Sequence, residues 1–260
     1  MRRFRLKFGY LMPAFLMLLS VVTLGQTVKP GMYSVKVPPM ADKKAGRSST
    51  LFRGSTHDME LMQLTHSFLL SSDKHAARVP ADVERLVIVK SGTLQIIMND
   101  STWALSPGSV ALFMPDQRYS VESPAADTCT FYTLEYRSKL PADKRRGVTA
   151  GGSIVRDWNE VNFQPHDKGG IRRYFDRPTV MCKRFEMHVT TLNEGLRSHD
   201  PHTHAAEEIV IVISGQTEMQ IGDQFYKGGT GAVYFLASNV PHAIRNVGKK
   251  ACAYFAFQLQ

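Results

Sequence analysis

The stretch ERLVIVKSGTLQIIMND at residues 84–100 recurs as EEIVIVISGQTEMQIGD at residues 207–223, which lies 123 positions further along the chain. The alignment continues without a gap to residue 137 and superposes Gly92 on Gly215. Apolar runs, turn residues and aromatic residues stay in phase over this length. The sequence therefore predicts that one structural unit is present twice.

Each copy consists of short runs of Val, Ile, Phe and Tyr that Gly, Asn, Asp and Pro interrupt, as in SVALFM at residues 109–114 and GAVYFLA at residues 231–237. The breaks come at intervals of roughly ten residues and helical periodicity is weak, which is typical of antiparallel β-structure. A unit of about 100 residues with this pattern suits a small barrel or jelly roll, which removes its sheet edges by closure. We predict an all-β protein with two tandem barrels.

Composition and turn signals divide the chain further. A stretch rich in Lys, Pro, Gly and Ser precedes the first copy, and KLPADKRRGVTAGGS separates the two copies. The predicted organisation is a signal peptide at 1–25, an extended lead-in at 26–56, a degenerate N-terminal barrel at 57–140, a linker at 141–152 and a C-terminal barrel at 153–260.

The N-terminus has the pattern of a secretory signal peptide. Four basic residues occur within the first seven, an apolar run covers residues 8–24, and the small residues Thr23 and Gly25 favour cleavage before Gln26. We expect a periplasmic or secreted protein without stable membrane association after cleavage. The alternative is an uncleaved membrane anchor, although Pro13 interrupts the run and its length is near the lower limit for spanning a bilayer.

Charge and cysteine content narrow the class of protein. The formal net charge is +9, but the basic residues are scattered and no nucleic-acid-binding motif accompanies them, so we expect no nucleic-acid partner. Three cysteines, Cys129, Cys182 and Cys252, are too few for a disulfide framework, and Cys129 and Cys252 are predicted to be small core residues. We expect a homo-oligomer that acts on a small molecule.

The stretch PHTHAAEEIVIVISG at residues 201–215 places costly polar side chains at the start of an apolar strand. His202 and His204 point to the same face of an extended chain, and Glu208 shares their parity. A divalent metal would offset the cost of burying a carboxylate there. His242, which follows the turn SNVP, is predicted to supply a fourth ligand from a neighbouring strand.

These residues resemble the two motifs of the cupins. The first, His-x-His, three or four residues, Glu, six residues, Gly, is met by His202, His204, Glu208 and Gly215. The second, Pro-x-Gly-x-x-His-x-x-x-Asn, is met at His242 and Asn246, whereas Ala237 and Asn239 stand where Pro and Gly are usual. The resemblance implies two cupin (double-stranded β-helix, or jelly-roll) barrels and a divalent metal ion, manganese in the first instance, with iron, nickel or zinc as alternatives.

The first copy provides an internal comparison for this site. The positions equivalent to the four proposed ligands hold Val79, Ala81, Arg85 and Tyr119. Because this set offers at most a marginal ligand, the first barrel is predicted to bind no metal. Its predicted role is structural, in packing against the second barrel or forming an oligomer interface.

Further polar residues are candidates for contact with a substrate. Glu186 and His188 share a strand face and are predicted to bind substrate, as is His199 beside the ligand pair, while Glu208 is predicted to be catalytic as well as a ligand. The alternatives are an ordinary core or surface histidine at 188 and a polar loop around residue 199. The run KGGIRRYFDRP at residues 168–178 could direct an arginine to a carboxylate-bearing substrate, or could form a solvated face.

Among two-barrel cupins, KRFEMHVTTLNEG at residues 183–195 and a metal motif confined to the second barrel look most like the ureidoglycine aminohydrolase group. That resemblance implies hydrolytic release of ammonia from a small ureido compound at a manganese site. The group uses a mixed Glu, His and Gln ligand set, from which three His and one Glu depart. The alternatives are a sugar or uronate isomerase, a lyase-like enzyme or a dioxygenase on the same scaffold, and a non-catalytic module that binds a small ligand.

Overall fold

A computed structural model of the chain describes residues 26–35, 48–124 and 128–260. The predicted signal peptide lies outside the described residues. The described part of the chain forms one short α-helix, α1 (Lys144–Thr149), one turn of 3-10 helix at Trp158–Glu160, and twenty strands. The strands are β1 (Gly31–Tyr33), β2 (Ser48–Gly54), β3 (Met59–Leu69), β4 (Lys74–Arg78), β5 (Glu84–Ser91), β6 (Leu94–Met98), β7 (Ser101–Leu105), β8 (Val110–Phe113), β9 (Arg118–Glu122), β10 (Cys129–Ser138), β11 (Ile154–Arg156), β12 (Phe163–His166), β13 (Gly169–Arg177), β14 (Phe185–Leu192), β15 (Glu207–Ser214), β16 (Gln216–Ile221), β17 (Gln224–Gly229), β18 (Val233–Leu236), β19 (His242–Asn246) and β20 (Cys252–Leu259).

The strands form two barrels, each with one large and one small antiparallel sheet. Barrel 1 combines a six-stranded sheet of order β11-β8-β5-β10-β3-β2 with a four-stranded sheet of order β4-β9-β6-β7. Barrel 2 combines a seven-stranded sheet of order β1-β18-β15-β20-β14-β13-β12 with a three-stranded sheet of order β17-β16-β19. The predicted all-β fold with two tandem barrels is confirmed.

Apolar side chains are divided among three buried clusters. One cluster fills barrel 1, a second fills barrel 2, and the largest joins the two big sheets, as with Tyr136 of β10 and Phe185 of β14, whose rings meet edge to face at 5.6 Å. Alternate residues of a strand point to opposite faces, so a strand of a large sheet contributes to its own barrel with one face and to the shared cluster with the other. Burial on both faces explains the nearly continuous apolar runs of β5 and β15.

The repeat extends further towards the N-terminus than the sequence alignment indicated, and it involves an exchange of strands. β1 and β11 lie 123 positions apart, and each pairs with the other copy's large sheet. Gly31 of β1 opposes Phe235 of β18, and Ile154 of β11 opposes Leu112 of β8, which are again equivalent positions. The first strand of each copy therefore completes the sheet of its neighbour.

This exchange affects the segments predicted to lie between the barrels. The predicted lead-in, residues 26–56, contains the strands β1 and β2 in its described part, and the predicted linker, residues 141–152, contains α1. Strand pairing does not follow the predicted boundary at residue 153, because β11 belongs to the large sheet of barrel 1. A local pattern of polar and turn residues gives no information on which sheet a short strand will join.

Two buried glutamates, one at the start of each large-sheet strand β5 and β15, hold the barrels together. Glu84 is fully buried and accepts hydrogen bonds from the hydroxyls of Tyr136 (2.5 Å) and Thr179 (2.7 Å) and from the backbone N–H groups of Val180 (2.7 Å) and Met181 (3.2 Å). Residues 179–181 precede β14 of the second copy. The carboxylate thus ties barrel 1 to the loop that enters barrel 2.

Glu207 makes the equivalent contact in the reverse direction. Its carboxylate accepts from the Thr56 hydroxyl (2.6 Å) and from the backbone N–H of His57 (2.7 Å), which precede β3 of barrel 1. Thr56 and Thr179 occupy equivalent positions, and the hydroxyl of each also caps the backbone N–H three residues later, at 3.0 and 2.9 Å. These two contacts, the Glu84 lock and the Glu207 lock, are related by the repeat.

Cys129 and Cys252 are core residues, as the sequence predicts. Cys129, Cys182 and Cys252 are buried and free, with Cys129 in the core of barrel 1 and Cys252 in that of barrel 2.

Within the described residues there is no helix with the length and apolar character that a membrane crossing requires.

Candidate metal centre

Three histidines converge at one end of barrel 2. His202, His204 and His242 each place a ring nitrogen within 4.8 Å of those of the other two. Their ring centroids are 4.7 Å apart for His202 and His242, 4.7 Å for His204 and His242, and 5.4 Å for His202 and His204. The structure therefore brings together the three histidines that the sequence motif proposes as ligands.

Backbone contacts hold these histidines in place. His202 and His242 form an isolated antiparallel bridge in which each backbone N–H donates to the carbonyl of the other residue, at 3.2 and 3.0 Å. The backbone N–H of Asn239 donates to the carbonyl of His204 at 2.8 Å. Asn239 has φ of +58°, a left-handed conformation that Asn tolerates better than other residues with a side chain. This explains how Asn stands where the cupin motif usually has Gly.

The ring orientations are also fixed by the backbone. Nδ1 of His204 lies 2.8 Å from the carbonyl of Ala206, and Nδ1 of His242 lies 2.9 Å from the carbonyl of Val240. A carbonyl accepts only, so both Nδ1 atoms carry the proton and both Nε2 atoms are directed to the centre. Nε2 of His242 is buried and has no hydrogen-bond partner among the described residues.

Glu208 lies at the base of this cluster, near the start of β15, and it is 8% exposed. Its Oε2 is 3.0 Å from Nε2 of His204 and 3.6 Å from Nε2 of His242. Burial alone would raise the pKa of Glu208, but its contacts with His204 and His242 lower it to about 2. The carboxylate is therefore ionised over the physiological range and makes the centre attractive to a cation.

The histidine pKa values follow from the same contacts. Burial, together with the neighbouring histidines, lowers the pKa of His202, whereas the hydrogen bond to Glu208 raises the pKa of His204. Nδ1 of His204 already donates to a carbonyl, so its Nε2 must also carry a proton to donate to Glu208. A divalent cation would displace that proton, because it satisfies the imidazole and the carboxylate together.

Gln258 is a fifth member of the cluster, which sequence reasoning missed. It lies directly opposite Glu208 on β20, and its amide Nε2 is 3.2 Å from Oε2 of Glu208 and 3.3 Å from Nε2 of His204. The equivalent residue of the first copy is Glu135. The signal that could have identified Gln258 is its parity with the interior residues of the last strand, combined with the pairing of β15 and β20.

Glu186 and His188 lie on the same interior face, further from the triad. Glu186 of β14 is directly opposite Gln258, so Glu208, Gln258 and Glu186 form one row across three neighbouring strands. Nδ1 of His188 is 2.7 Å from Oε1 of Glu186, and the two side chains are 21% and 15% exposed. The predicted substrate-binding pair thus forms a half-buried dyad along the wall of barrel 2, and its role in binding substrate stays a prediction.

His199 borders the triad on its outer side. Its ring centroid is 4.1 Å from that of His202 and 6.3 Å from that of His242, and its Nδ1 contacts the carbonyl of Asp200 at 3.0 Å. It is exposed, as is Asp200. This position is compatible with contact to a substrate at the mouth of the barrel, which stays a prediction for His199.

The arginines of β13 serve the fold. Arg172 stacks on Trp158 at 4.5 Å and donates to the carbonyl of Val161 at 2.6 Å. Arg173 binds the side chain of Gln164, and Arg177 donates to the carbonyl of Ala150 at 2.6 Å. Each of the three guanidinium groups therefore contacts the protein itself, and the buried Nε of Arg177 has no hydrogen-bond partner among the described residues.

In barrel 1 the equivalent centre is occupied by a guanidinium group. Arg85, at the position of Glu208, donates to the hydroxyl of Tyr119 at 2.7 Å and to the carboxylate of Glu135 at 2.9 Å. Tyr119 and Glu135 are the equivalents of His242 and Gln258. The guanidinium stands where barrel 2 has a carboxylate ligand and already pairs with Glu135, which gives a physical reason for the prediction that this barrel binds no metal.

Comparison with known proteins agrees with this geometry. Residues 188–257 match the family model of the cupin domain. The (S)-ureidoglycine aminohydrolase of Arabidopsis thaliana is 21% identical over 180 residues, which are 69% of this chain and span 58% of the length of that relative.

Two solved structures show the same fold over most of the chain. AerE from Microcystis aeruginosa is 15% identical with a TM-score of 0.63 and covers 88% of this chain and 99% of its own. The oxalate decarboxylase of Lactobacillus farciminis, solved as a formate complex, is 11% identical with a TM-score of 0.67 and covers 90% of this chain and 87% of its own. Residues 188–257 therefore form a cupin domain, which lies inside a fold of two tandem barrels.

Proposed function

We propose that the chain is a metal-dependent enzyme that releases ammonia by hydrolysis from a small ureidoglycine-like compound. The observation that carries this proposal is the convergence of His202, His204 and His242 on the buried carboxylate of Glu208. The similarity to (S)-ureidoglycine aminohydrolase supports the choice of reaction.

The donor set fits a divalent metal ion, for which we propose manganese, with iron, nickel or zinc as alternatives. Nε2 of His242 is a buried nitrogen without a partner among the described residues, and Nδ1 of both His204 and His242 is held by a carbonyl. His202, His204, Glu208 and His242 would hold the ion. When bound, the ion would act as a Lewis acid on a chelating substrate and increase the acidity of a water molecule.

The surrounding residues would bind and orient the substrate. The Gln258 amide donates to Glu208 and limits the rotation of that carboxylate. Glu186 accepts from Nδ1–H of His188, which leaves Nε2 of His188 available to a group of the substrate along the wall of the barrel. His199 would contact the substrate from the mouth of the barrel.

The experiment is a substrate screen on protein purified without nickel affinity chromatography. Elemental analysis gives the resident metal. Manganese-, iron- and zinc-loaded protein is then incubated with ureido compounds, α-keto acids and uronates, and turnover is followed by mass. The matched control is His202→Ala/His204→Ala. Release of ammonia from a ureido compound by the wild type alone supports the proposal, whereas turnover of a uronate would favour an isomerase.

Tight binding of one compound without turnover of any would instead favour a non-catalytic binding module. The predicted homo-oligomeric state and the export of the chain stay predictions, as do the small-molecule partner and the absence of a nucleic-acid partner.

A further inference from the structure

A crevice of about 280 Å³ lies between the two barrels, away from the metal centre. Its walls come from residues 88–91 of β5 and residues 211–213 of β15, which are equivalent in the two copies, and from Trp158. Ile211, the crevice residue nearest to Glu208 along β15, follows it by three residues, which is about 10 Å of extended chain, and the two side chains point to opposite faces of the strand. The crevice is therefore a separate site.

Its two sides differ chemically although the repeat relates them. Lys90 of the first copy corresponds to Ile213 of the second, and Tyr132 corresponds to Phe255. All four residues line the crevice. One side therefore carries an ammonium and a phenol, while the equivalent positions on the other side are purely apolar.

Lys90 has no carboxylate partner among the residues that the structure describes. Its Nζ lies 5.7 Å from the ring centroid of Tyr132. Tyr132 itself is 2% exposed, and its hydroxyl lies 3.5 Å from the carbonyl of Gly231 across the crevice. Lys90 as a whole is exposed, and partial burial lowers the pKa of its ammonium group.

The neighbouring histidine does not balance this charge. His66 packs on Tyr132 with ring centroids 5.1 Å apart, and its buried Nε2 has no hydrogen-bond partner in the described part of the chain. Burial, with a smaller effect of Lys90, lowers the pKa of His66 to about 4, so this histidine is neutral at physiological pH. Lys90 also borders an adjoining crevice of about 360 Å³ that contains a second lysine, Lys227.

We propose that this inter-barrel crevice binds a small carboxylate with an apolar body. The carboxylate pairs with Lys90, and the body packs between Trp158 and the apolar wall that Ile211, Ile213 and Phe255 provide. The volume is sufficient, since a cavity of roughly 150 Å³ accommodates benzene. A carboxylate bound to the Lys90 ammonium gains a charge-assisted hydrogen bond that an alcohol of the same shape lacks.

The test is a fluorescence titration of the metal-free full-length chain with three compounds of similar shape and different charge: 3-phenylpropionate, 3-phenylpropanol and 3-phenylpropylamine. Trp158 lines the crevice and is one of two tryptophans, so Trp158→Phe identifies its signal against that of Trp103. We expect the carboxylate to bind about tenfold more tightly than the alcohol, and the ammonium compound to bind most weakly.

Two variants locate the site. Lys90→Met should reduce carboxylate affinity to that of the alcohol and leave alcohol binding unchanged, whereas Ile213→Phe should fill the crevice and weaken both. Lys249→Met, at an exposed turn, is the matched control and should behave as the wild type. Equal affinities for the three compounds in the wild type, or a carboxylate preference that survives Lys90→Met, would overturn the proposal. Neither result depends on activity at the metal centre.

Discussion

The Glu84 lock can be tested by removing its carboxylate. Glu84 is fully buried and accepts four hydrogen bonds, two from hydroxyls and two from backbone N–H groups of the loop 179–181. Glu84→Ala leaves all four donors without their acceptor at the contact between the barrels. Glu84→Gln keeps the shape and lets its remaining oxygen face the two backbone N–H groups, while the hydroxyls of Tyr136 and Thr179 can rotate to accept from the amide.

The magnitudes follow from the number of donors. A hydrogen bond to a charged group contributes about 1.5–3 kcal/mol, and a buried donor without a partner costs about 1–3 kcal/mol. Part of this is offset, because burial raises the pKa of Glu84 and so disfavours its ionised form. We expect Glu84→Ala to lower the free energy of unfolding by about 3–5 kcal/mol and Glu84→Gln by about 1 kcal/mol. Glu207→Ala should cost less than Glu84→Ala, since the position equivalent to Tyr136 holds Leu259.

The assay is urea unfolding followed by circular dichroism, with thermal unfolding as a second measurement. A loss of 3–5 kcal/mol corresponds to a fall in the melting temperature on the order of 10 °C for a chain of this size. The matched control is Glu122→Ala, because Glu122 is 30% exposed and its ion pair within the described residues is with Lys74 on the surface, so its loss should change stability by less than about 1 kcal/mol. If Glu84→Ala were as stable as this control, or if Glu84→Gln were as destabilising as Glu84→Ala, the reasoning would be refuted.

Four further predictions concern the metal centre, the Glu84 lock and the predicted signal peptide. Removing both His202 and His204 should abolish metal binding by elemental analysis and leave the circular dichroism spectrum unchanged, because apolar packing holds a domain of this size; one metal per chain in the variant would contradict the ligand assignment. Glu208→Gln should weaken metal affinity at least about tenfold in a competition titration with a chelator, since it removes the buried negative charge, and an unchanged affinity would be incompatible with Glu208 as a ligand. The pKa of Glu84 is raised in the folded protein, so its contribution to stability is complete below its ordinary pKa and is lost as the pH rises through the folded pKa. In urea unfolding, Glu84→Gln should therefore destabilise the protein more at pH 4.5 than at pH 8. The reverse order would contradict the assigned direction of the pKa shift. N-terminal sequencing of protein from its native host should begin near Gln26, and recovery of the intact N-terminus from a soluble cytoplasmic fraction would rule out a cleaved leader.

The features that the sequence predicts are those that depend on local pattern. Alternating apolar runs and turn residues identify the strands and the duplication, because side-chain direction in a strand has a period of two residues. The spacing of His202, His204 and Glu208 was sufficient to predict their convergence for the same reason. His242 could be placed because it follows a turn at the start of a strand.

The features that the sequence does not predict depend on which strands are neighbours. Gln258 joins the centre only because β20 pairs with β15 in the register that sets it opposite Glu208. The exchange of β1 and β11 is likewise a choice between two sheets that offer equivalent edges. The asymmetric crevice needs both barrels in place, since its walls come from both copies.

The neighbouring residues Glu207 and Glu208 show how one strand serves both stability and chemistry. Successive side chains of a strand point to opposite faces. Glu207, whose partner on β20 is Leu259, therefore points to the contact between the barrels, whereas Glu208, whose partner on β20 is Gln258, points to the histidines. In the first copy the same two positions hold Glu84 and Arg85. The lock is retained there, and the acidic group of the metal centre is replaced by a guanidinium that neutralises Glu135. The interior position of this strand can therefore change from a carboxylate to a guanidinium without disturbing the contact between barrels, because the two functions occupy opposite faces of the strand.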